Sequence, residues 1–373
     1  MKKWVGSRRK THSGKVYIGI ILVFGWVATV GAQEVPVTTP GQPSKVAAAP
    51  AQAKGNVSSA SLLPKFEESW STPSIEGSDL RLVDSVSEGV DTIDGVYTHE
   101  VVRVQWRPGD PIDLFVIKPV GVKNPPVILY LYSFPFETDR FLDQDFCKFV
   151  VKNGYAAIGF PSALTAERYH PPRPMKEWFV SQMPESLATT AHDVQMILNY
   201  LAARGDFDMD RVGMFGDGSG ASIAILAAAV DPRIKSLDLL DPWGDWPDWI
   251  AESKRIPEKE RPNFLKPEWL AAAAPLDPVK WLPGLKTPKI RIQFVKNIAV
   301  TPVDVQQKIE AAAPASAKIV RYDSLAEFQT AVAGGTGFDW IKDTLQFSVV
   351  PEYSAAGQAQ QKPAPARTKD SQQ

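Results

Sequence analysis

Apolar positions along this chain follow two different periods. Val101–Trp106 and Ile112–Lys118 place apolar residues at every second position around Pro108-Gly109-Asp110, which predicts a β-hairpin. Val127–Tyr132 (VILYLY) is an unbroken apolar run between Pro125-Pro126 and Pro135, the mark of a strand buried on both faces. A helix is predicted over Phe141–Lys152, closed by Gly154, and the next strand over Tyr155–Phe160. A Pro-rich loop, Pro161–Pro184, leads to a helix over Ser186–Arg204, whose Leu187, Val194, Ile197, Leu198 and Leu201 share one face and which stops at Gly205. Beyond it the pattern gives strand Arg211–Phe215, helix Ser219–Val230, strand Ser236–Leu240, strand Lys289–Val295, helix Val303–Ala313 and strand Lys318–Tyr322. The stretch from Asp323 to Phe338 (DSLAEFQTAVAGGTGF) reads as a loop before a last helix near Phe338–Leu345. Strands alternating with helices predict an α/β protein with a mostly parallel sheet, helices on both faces and an antiparallel N-terminal hairpin.

The two ends differ from this middle. A basic stretch through Lys15 precedes the apolar run Val16–Ala32, which closes on the small residues Val30-Gly31-Ala32, so residues 1–32 are expected to be an export signal cleaved after Ala32. The run of 17 residues borders on a membrane span, and an uncleaved anchor is the alternative. Residues 33–60 are rich in Pro, Ala, Thr, Ser and Gln and are expected to be a disordered linker, as is the tail 351–373. Between them we place an N-terminal extension at 61–89 and one domain at 90–350.

The formal net charge of -1 conceals an asymmetry: residues 1–32 carry six bases and no acid, which leaves 35 bases against 42 acids, a net of -7. That balance argues against a nucleic-acid partner. The one cysteine, Cys147, cannot form an internal disulfide, and its neighbours Phe146 and Phe149 suggest a core residue.

The passage Arg211–Leu226 (RVGMFGDGSGASIAIL) resembles the nucleophile elbow of the α/β-hydrolases, in which a strand turns sharply into a helix and lifts one side chain above the sheet. Small residues flank the turn here as Gly216 and Gly220, so the central position is Gly218. The phrasings Asp206–Arg211 and Asp231–Ile234 on either side are similar to the dienelactone-hydrolase and acyl-esterase branch, and the resemblance runs from about Val90 to Gln346. It implies the order nucleophile, acid, histidine. Gly218 stands where that serine belongs and Ile298 about where the acid belongs, and no histidine follows His192. A hydroxyl without a base is a weak nucleophile. Ser219 is the alternative nucleophile if the turn slides by one residue, although Asp217 then fits a small position poorly.

The remaining candidates are weaker. Asp241, after strand Ser236–Leu240, and His170, in the Pro-rich loop, complete a displaced triad with Ser219 on paper. The plainer reading makes His170 a loop residue, Asp241 a brace for the Pro242-Trp243 turn and His192 a packing or surface residue. The backbone N–H groups of Phe134 and Ser219 are the expected remnants of an oxyanion site. Residues 241–283 hold Trp243, Trp246, Trp249, Trp269 and Trp281 where this fold inserts a lid. Trp243 and Trp246 then either pack that lid on the body or wall a cleft for a small molecule, a sugar or a peptide. His99-Glu100 is too small a set for a metal site, and no cofactor is expected. The sequence thus reads as an exported non-catalytic hydrolase-like protein with a binding or scaffolding role. Its alternative is an ester or peptide hydrolase using Ser219.

Overall fold

The computed structural model describes residues 66–133, 138–163, 168, 180, 182–296 and 300–347. Nine strands form one sheet in the order β1-β2-β3-β5-β4-β6-β7-β8-β9. The antiparallel edge is β1 (Asp84–Ile93), β2 (Tyr97–Gln105) and β3 (Pro111–Pro119), joined antiparallel to β5 (Ala156–Gly159). From β5 onward all pairs are parallel: β4 (Pro126–Leu131), β6 (Asp208–Asp217), β7 (Ile234–Leu240), β8 (Lys289–Val295) and β9 (Lys318–Tyr322). The expected mostly parallel sheet with an antiparallel leading hairpin is therefore present, and the hairpin carries one strand more than its alternation predicts.

That extra strand, β1, is exposed along nearly its whole length and rich in Ser, Asp and Gly. It buries no face, so no apolar alternation announces it, and it crosses the boundary drawn at 89/90. A second correction concerns Leu325–Ala333, read as loop and observed as helix. Ser324 Oγ accepts from the Glu327 N–H at 3.2 Å and Glu327 Oε2 from the Asp323 N–H at 2.6 Å. The first bond is the N-cap half of a capping box and the second reaches one residue further back than that motif, while the buried Phe328 and Val332 lie one turn apart behind them. A third is the helix expected over Phe141–Lys152. Asp143 interrupts it, ending one turn at Leu142 and capping the next helix, Gln144–Val150, through the Phe146 N–H.

The sheet is covered on both sides. The main apolar core packs helix Met183–Arg204, helix Ser219–Val230, residues 243–285 and helix Val303–Ala312 against one face. The second face carries a separate aromatic layer of Tyr130, Tyr132, Phe141, Phe146, Phe215 and Phe338, under helices Gln144–Val150 and Trp340–Thr344. Helix Ser219–Val230 is apolar all round, as a helix wedged between sheet and neighbouring helices must be.

Residues 66–80 fasten to the domain by buried charge. Glu68 accepts from Arg107 Nε at 2.6 Å and Arg107 Nη2 at 2.7 Å, and it lies 2.6 Å from His192 Nδ1. Asp193 takes Trp106 Nε1 at 2.8 Å, Arg107 Nη1, and Arg168 at 2.9 Å. His192, whose other ring nitrogen meets the Thr72 carbonyl at 2.9 Å, is thus a packing residue. Cys147 is likewise buried, its thiol donating to the Phe141 carbonyl, and burial pushes it up to about 11.

Candidate functional site

Strand β6 ends at Asp217 and helix Ser219–Val230 begins at Ser219, so a single residue makes the turn. That residue is Gly218, at φ 57° and ψ -114°, a conformation L side chains adopt only under strain. Its N–H donates to the Leu240 carbonyl at 2.9 Å, which pins the turn over β7. Small residues flank it for steric reasons. A Cβ at Gly216 would lie 2.5 Å from Ala221 Cα, and one at Gly220 would lie 2.3 Å from the Leu131 carbonyl oxygen. Helix and strands approach too closely for any side chain at either place.

Comparison with solved structures finds this architecture. An acetyl xylan esterase from Thermoanaerobacterium sp. JW/SL YS485 superposes with a TM-score of 0.54 at 12% identity, covering 70% of this chain and 90% of the other. One from Paenibacillus sp. R4 gives 0.50 at 14%, covering 69% and 88%. The chain has the α/β-hydrolase fold. A puromycin-hydrolyzing peptidase of Mycobacterium tuberculosis is similar over 69% of this chain but only 41% of its own, with a TM-score of 0.51 at 13% identity. No family model matches the sequence, and no curated protein matches it.

In this fold the turn residue projects its side chain over the sheet edge. Here that volume is filled from two sides. A Cβ built on Gly218 would lie 2.1 Å from Ser133 Oγ, 3.1 Å from Trp243 Nε1 and 3.2 Å from Trp243 Cε2. Ser133 is held there by donating to the Asp217 carbonyl at 2.9 Å. Trp243 is held by stacking on Trp249, with ring centroids 4.7 Å apart, and by the exchange of backbone hydrogen bonds with Ser222 Oγ at 2.7 and 3.0 Å.

Ser219 is buried as the first residue of the helix. Asp241 follows β7 with φ 44° and is buried too. Its N–H donates to the Gln293 carbonyl, its carboxylate accepts from the Val295 N–H at 3.2 Å, and its carbonyl accepts from Thr301 Oγ1 at 3.1 Å. Asp241 therefore ties the ends of β7 and β8 together, a wider brace than the Pro242-Trp243 turn alone. Burial pushes its carboxyl well above the usual range, with the Asp217 charge adding to the effect and the Val295 bond opposing it. A carboxyl favouring its protonated form is a poor partner for an imidazolium. Asp217 is raised to about 6 by burial, against the pull of Arg140 and then Arg255.

His170, Phe134 and Ile298 lie outside the described residues. Of the other histidines, His99 meets the Phe141 carbonyl at 3.0 Å through Nε2, and His192 is engaged as above. Trp243 and Trp246 are 2% and 1% exposed and belong to the main core, which corrects the expectation of an open aromatic-walled cleft. Only an edge of Trp246 borders a surface depression of about 340 Å³, shared with Asp245, Leu270, Asp277 and Lys280. Residues 241–283 pack into the body rather than lying over it, since Ile250, Phe264, Ala273, Leu276 and Leu282 join the same core.

Sequence reading overlooked Ser133, Asp217, Arg140 and Arg255. Arg140 lies 3.9 Å over the Tyr132 ring and Arg255 lies 5.4 Å over the Trp243 ring. Only Asp217 carried a local signal, as a charged residue inside a turn that otherwise holds Gly and Ser.

Proposed function

We propose that this α/β-hydrolase-fold protein performs no hydrolysis at its elbow and has a binding or scaffolding role instead. The observation that carries this reading is Gly218, which makes the nucleophile turn while Ser133 and Trp243 take up the space a nucleophile side chain needs. The raised carboxyl of Asp241 agrees with it. Purified protein is expected to hydrolyse p-nitrophenyl acetate no faster than a Ser219→Ala variant, and to take up no fluorophosphonate probe. A second reading, ester or peptide hydrolysis by Ser219, is favoured by the neighbours named as esterases and a peptidase, and by Ser219 standing at the helix N-terminus after the elbow. A probe adduct mapped to Ser219, with activity lost on Ser219→Ala, would decide for it. Export belongs to the same proposal and rests on Val16–Ala32 behind its basic stretch; N-terminal sequencing of protein from the producing cell would show cleavage after Ala32, or an intact anchor.

A further inference from the structure

We propose that residues 66–80 form a pH-operated strap, which a doubly protonated His192 locks onto helix Met183–Arg204 and which comes free when that imidazolium gives up a proton.

The strap closes on itself. The Asp79 N–H donates to the Glu67 carbonyl at 2.9 Å and the Glu67 N–H donates to Asp79 Oδ2 at 2.8 Å, which joins its two ends. Its grip on the domain is largely polar. Glu68 takes the fork of Arg107, and Gln195 Nε2 donates to the Pro73 carbonyl at 2.7 Å. Ile75 and Leu80 pack on the core but are only partly buried, and Trp70 is 46% exposed. A segment with so little apolar burial opens without unfolding the rest, so a change of charge can release it.

His192 carries the charge that can change. It is fully buried, and both of its ring nitrogens face oxygens of the strap: Nδ1 lies 2.6 Å from Glu68 Oε1 and Nε2 lies 2.9 Å from the Thr72 carbonyl. A carbonyl oxygen only accepts. An ionised carboxylate only accepts too, and Arg107 keeps Glu68 ionised by donating Nε to one oxygen and Nη2 to the other. Burial, which raises the Glu68 carboxyl, is outweighed by the bonds from His192 and Arg107, so it is held below the usual range. A neutral imidazole has one N–H, and either tautomer turns a bare lone pair toward an oxygen. Only the imidazolium donates to both partners, which assigns a proton to each nitrogen.

The surroundings balance that charge. Glu68 from the strap, Asp110 from the turn after β2 and Asp193 from helix Met183–Arg204 are three carboxylates. Arg107 from the same turn, Arg168 and His192 are the three cations that meet them. Without its second proton His192 leaves this buried cluster net negative and one strap oxygen without its donor. The closed strap therefore binds one proton more than the open strap. Closure is complete below the ordinary histidine value of about 6.5 and is lost as pH rises through the value of the closed state. Glu68 sets the acid limit, because its contribution is lost as pH falls through its lowered value.

Two measurements on the full chain test the strap. Nitrogen NMR of histidine-labelled protein at about pH 6 should show both ring nitrogens of His192 protonated, and a spectrum with one of them bare overturns the proposal without recourse to a variant. Hydrogen exchange of residues 66–80, corrected for intrinsic rates, should then report an opening constant that rises by up to about tenfold per pH unit as His192 titrates, while helix Ser219–Val230 stays protected. His192→Gln should leave the strap open at about pH 6 and remove the pH dependence. Glu68→Gln, whose amide can donate to a bare Nδ1, should lower the pH at which His192 loses its proton by about one unit or more. Strap opening that does not change between about pH 6 and 9, or that changes equally in His192→Gln, overturns the proposal.

Discussion

Replacing Gly218 by alanine separates the backbone of the elbow from the packing around it. The added methyl meets two costs. The first is conformational: φ 57° with ψ -114° is a region where a residue with a Cβ stores about 1–3 kcal/mol. The second is steric. Ser133 Oγ, 2.1 Å from the new Cβ, must rotate away and give up its bond to the Asp217 carbonyl, worth about 1 kcal/mol. The Trp243 indole at 3.1–3.2 Å has to yield only a few tenths of an ångström. The expected loss is therefore about 2–4 kcal/mol, large against a typical domain stability of about 5–15 kcal/mol but not enough to unfold the chain. Urea unfolding followed by tryptophan fluorescence measures it. Ser133→Gly should cost about 1 kcal/mol more in the parent than in the Gly218→Ala background, where the bond it removes is already gone. A Gly218→Ala protein within about 0.5 kcal/mol of the parent would refute the reasoning, because neither the strained turn nor the filled volume could then be as described.

Four other outcomes follow from the charged and titratable groups. Arg107→Met takes one cation from Glu68 and Asp193, whose side chains are 6% and 0% exposed and keep His192 and Arg168 respectively, and should cost about 3 kcal/mol in the same assay, the low end for a broken buried pair. Arg103→Met, which removes a pair with Asp113 from an arginine 43% exposed, should cost less than about 1 kcal/mol. Asp217→Asn should stabilise the protein above pH 6: the folded state holds this carboxyl at about 6, so folding stability falls as pH rises from the ordinary aspartate range to about 6, and the amide abolishes that fall, a gain on the order of 2–3 kcal/mol read from unfolding midpoints at pH 4 and pH 8. On the alkaline side, Cys147 at about 11 and Tyr97, Tyr132 and Tyr155 at about 12 are all raised by burial, so their stability contributions are present below their unfolded values and lost as pH rises through about 9–12. Lys342, lowered to about 8 by burial, works the other way between about 8 and 10.5; four groups against one predict a net loss above pH 10, visible as a falling thermal midpoint.

What the sequence disclosed follows from what each segment buries. Val127–Tyr132 and Ser219–Val230 are buried through most of their length and almost wholly apolar, and Lys289–Val295 sets Ile290, Ile292 and Phe294 between polar residues, so all three were located to within a residue. Strand β1 buries almost nothing and left no periodic trace. Helix Leu325–Ala333 did announce itself, through Ser324 and Glu327, but its glycine-rich end at Gly334-Gly335 drew the reading toward a loop. At the candidate site the backbone was legible because Gly216, Gly218 and Gly220 are forced by close approach and a positive φ. The side chains around it were not. Ser133, Arg140, Trp243 and Arg255 reach the elbow from four separate stretches, and only the sheet order that sets β4 beside β6 and β6 beside β7 brings the first three elements together.

The persistence of so sharp a turn around a glycine needs an explanation that does not involve a nucleophile. Two of its three glycines supply one. Gly216 and Gly220 are required by helix-to-strand distances that any side chain would violate, so they serve the packing of helix Ser219–Val230 whether or not chemistry happens above it. With those two fixed, the residue between them has to bridge β6 and the helix in one step, and the positive φ follows from geometry. Glycine is then the residue of lowest strain at position 218, and a serine there would be the choice that costs stability. An elbow is thus evidence of a fold before it is evidence of a reaction. What the site does is decided by the groups that fill the space above the turn, here a serine hydroxyl and an indole.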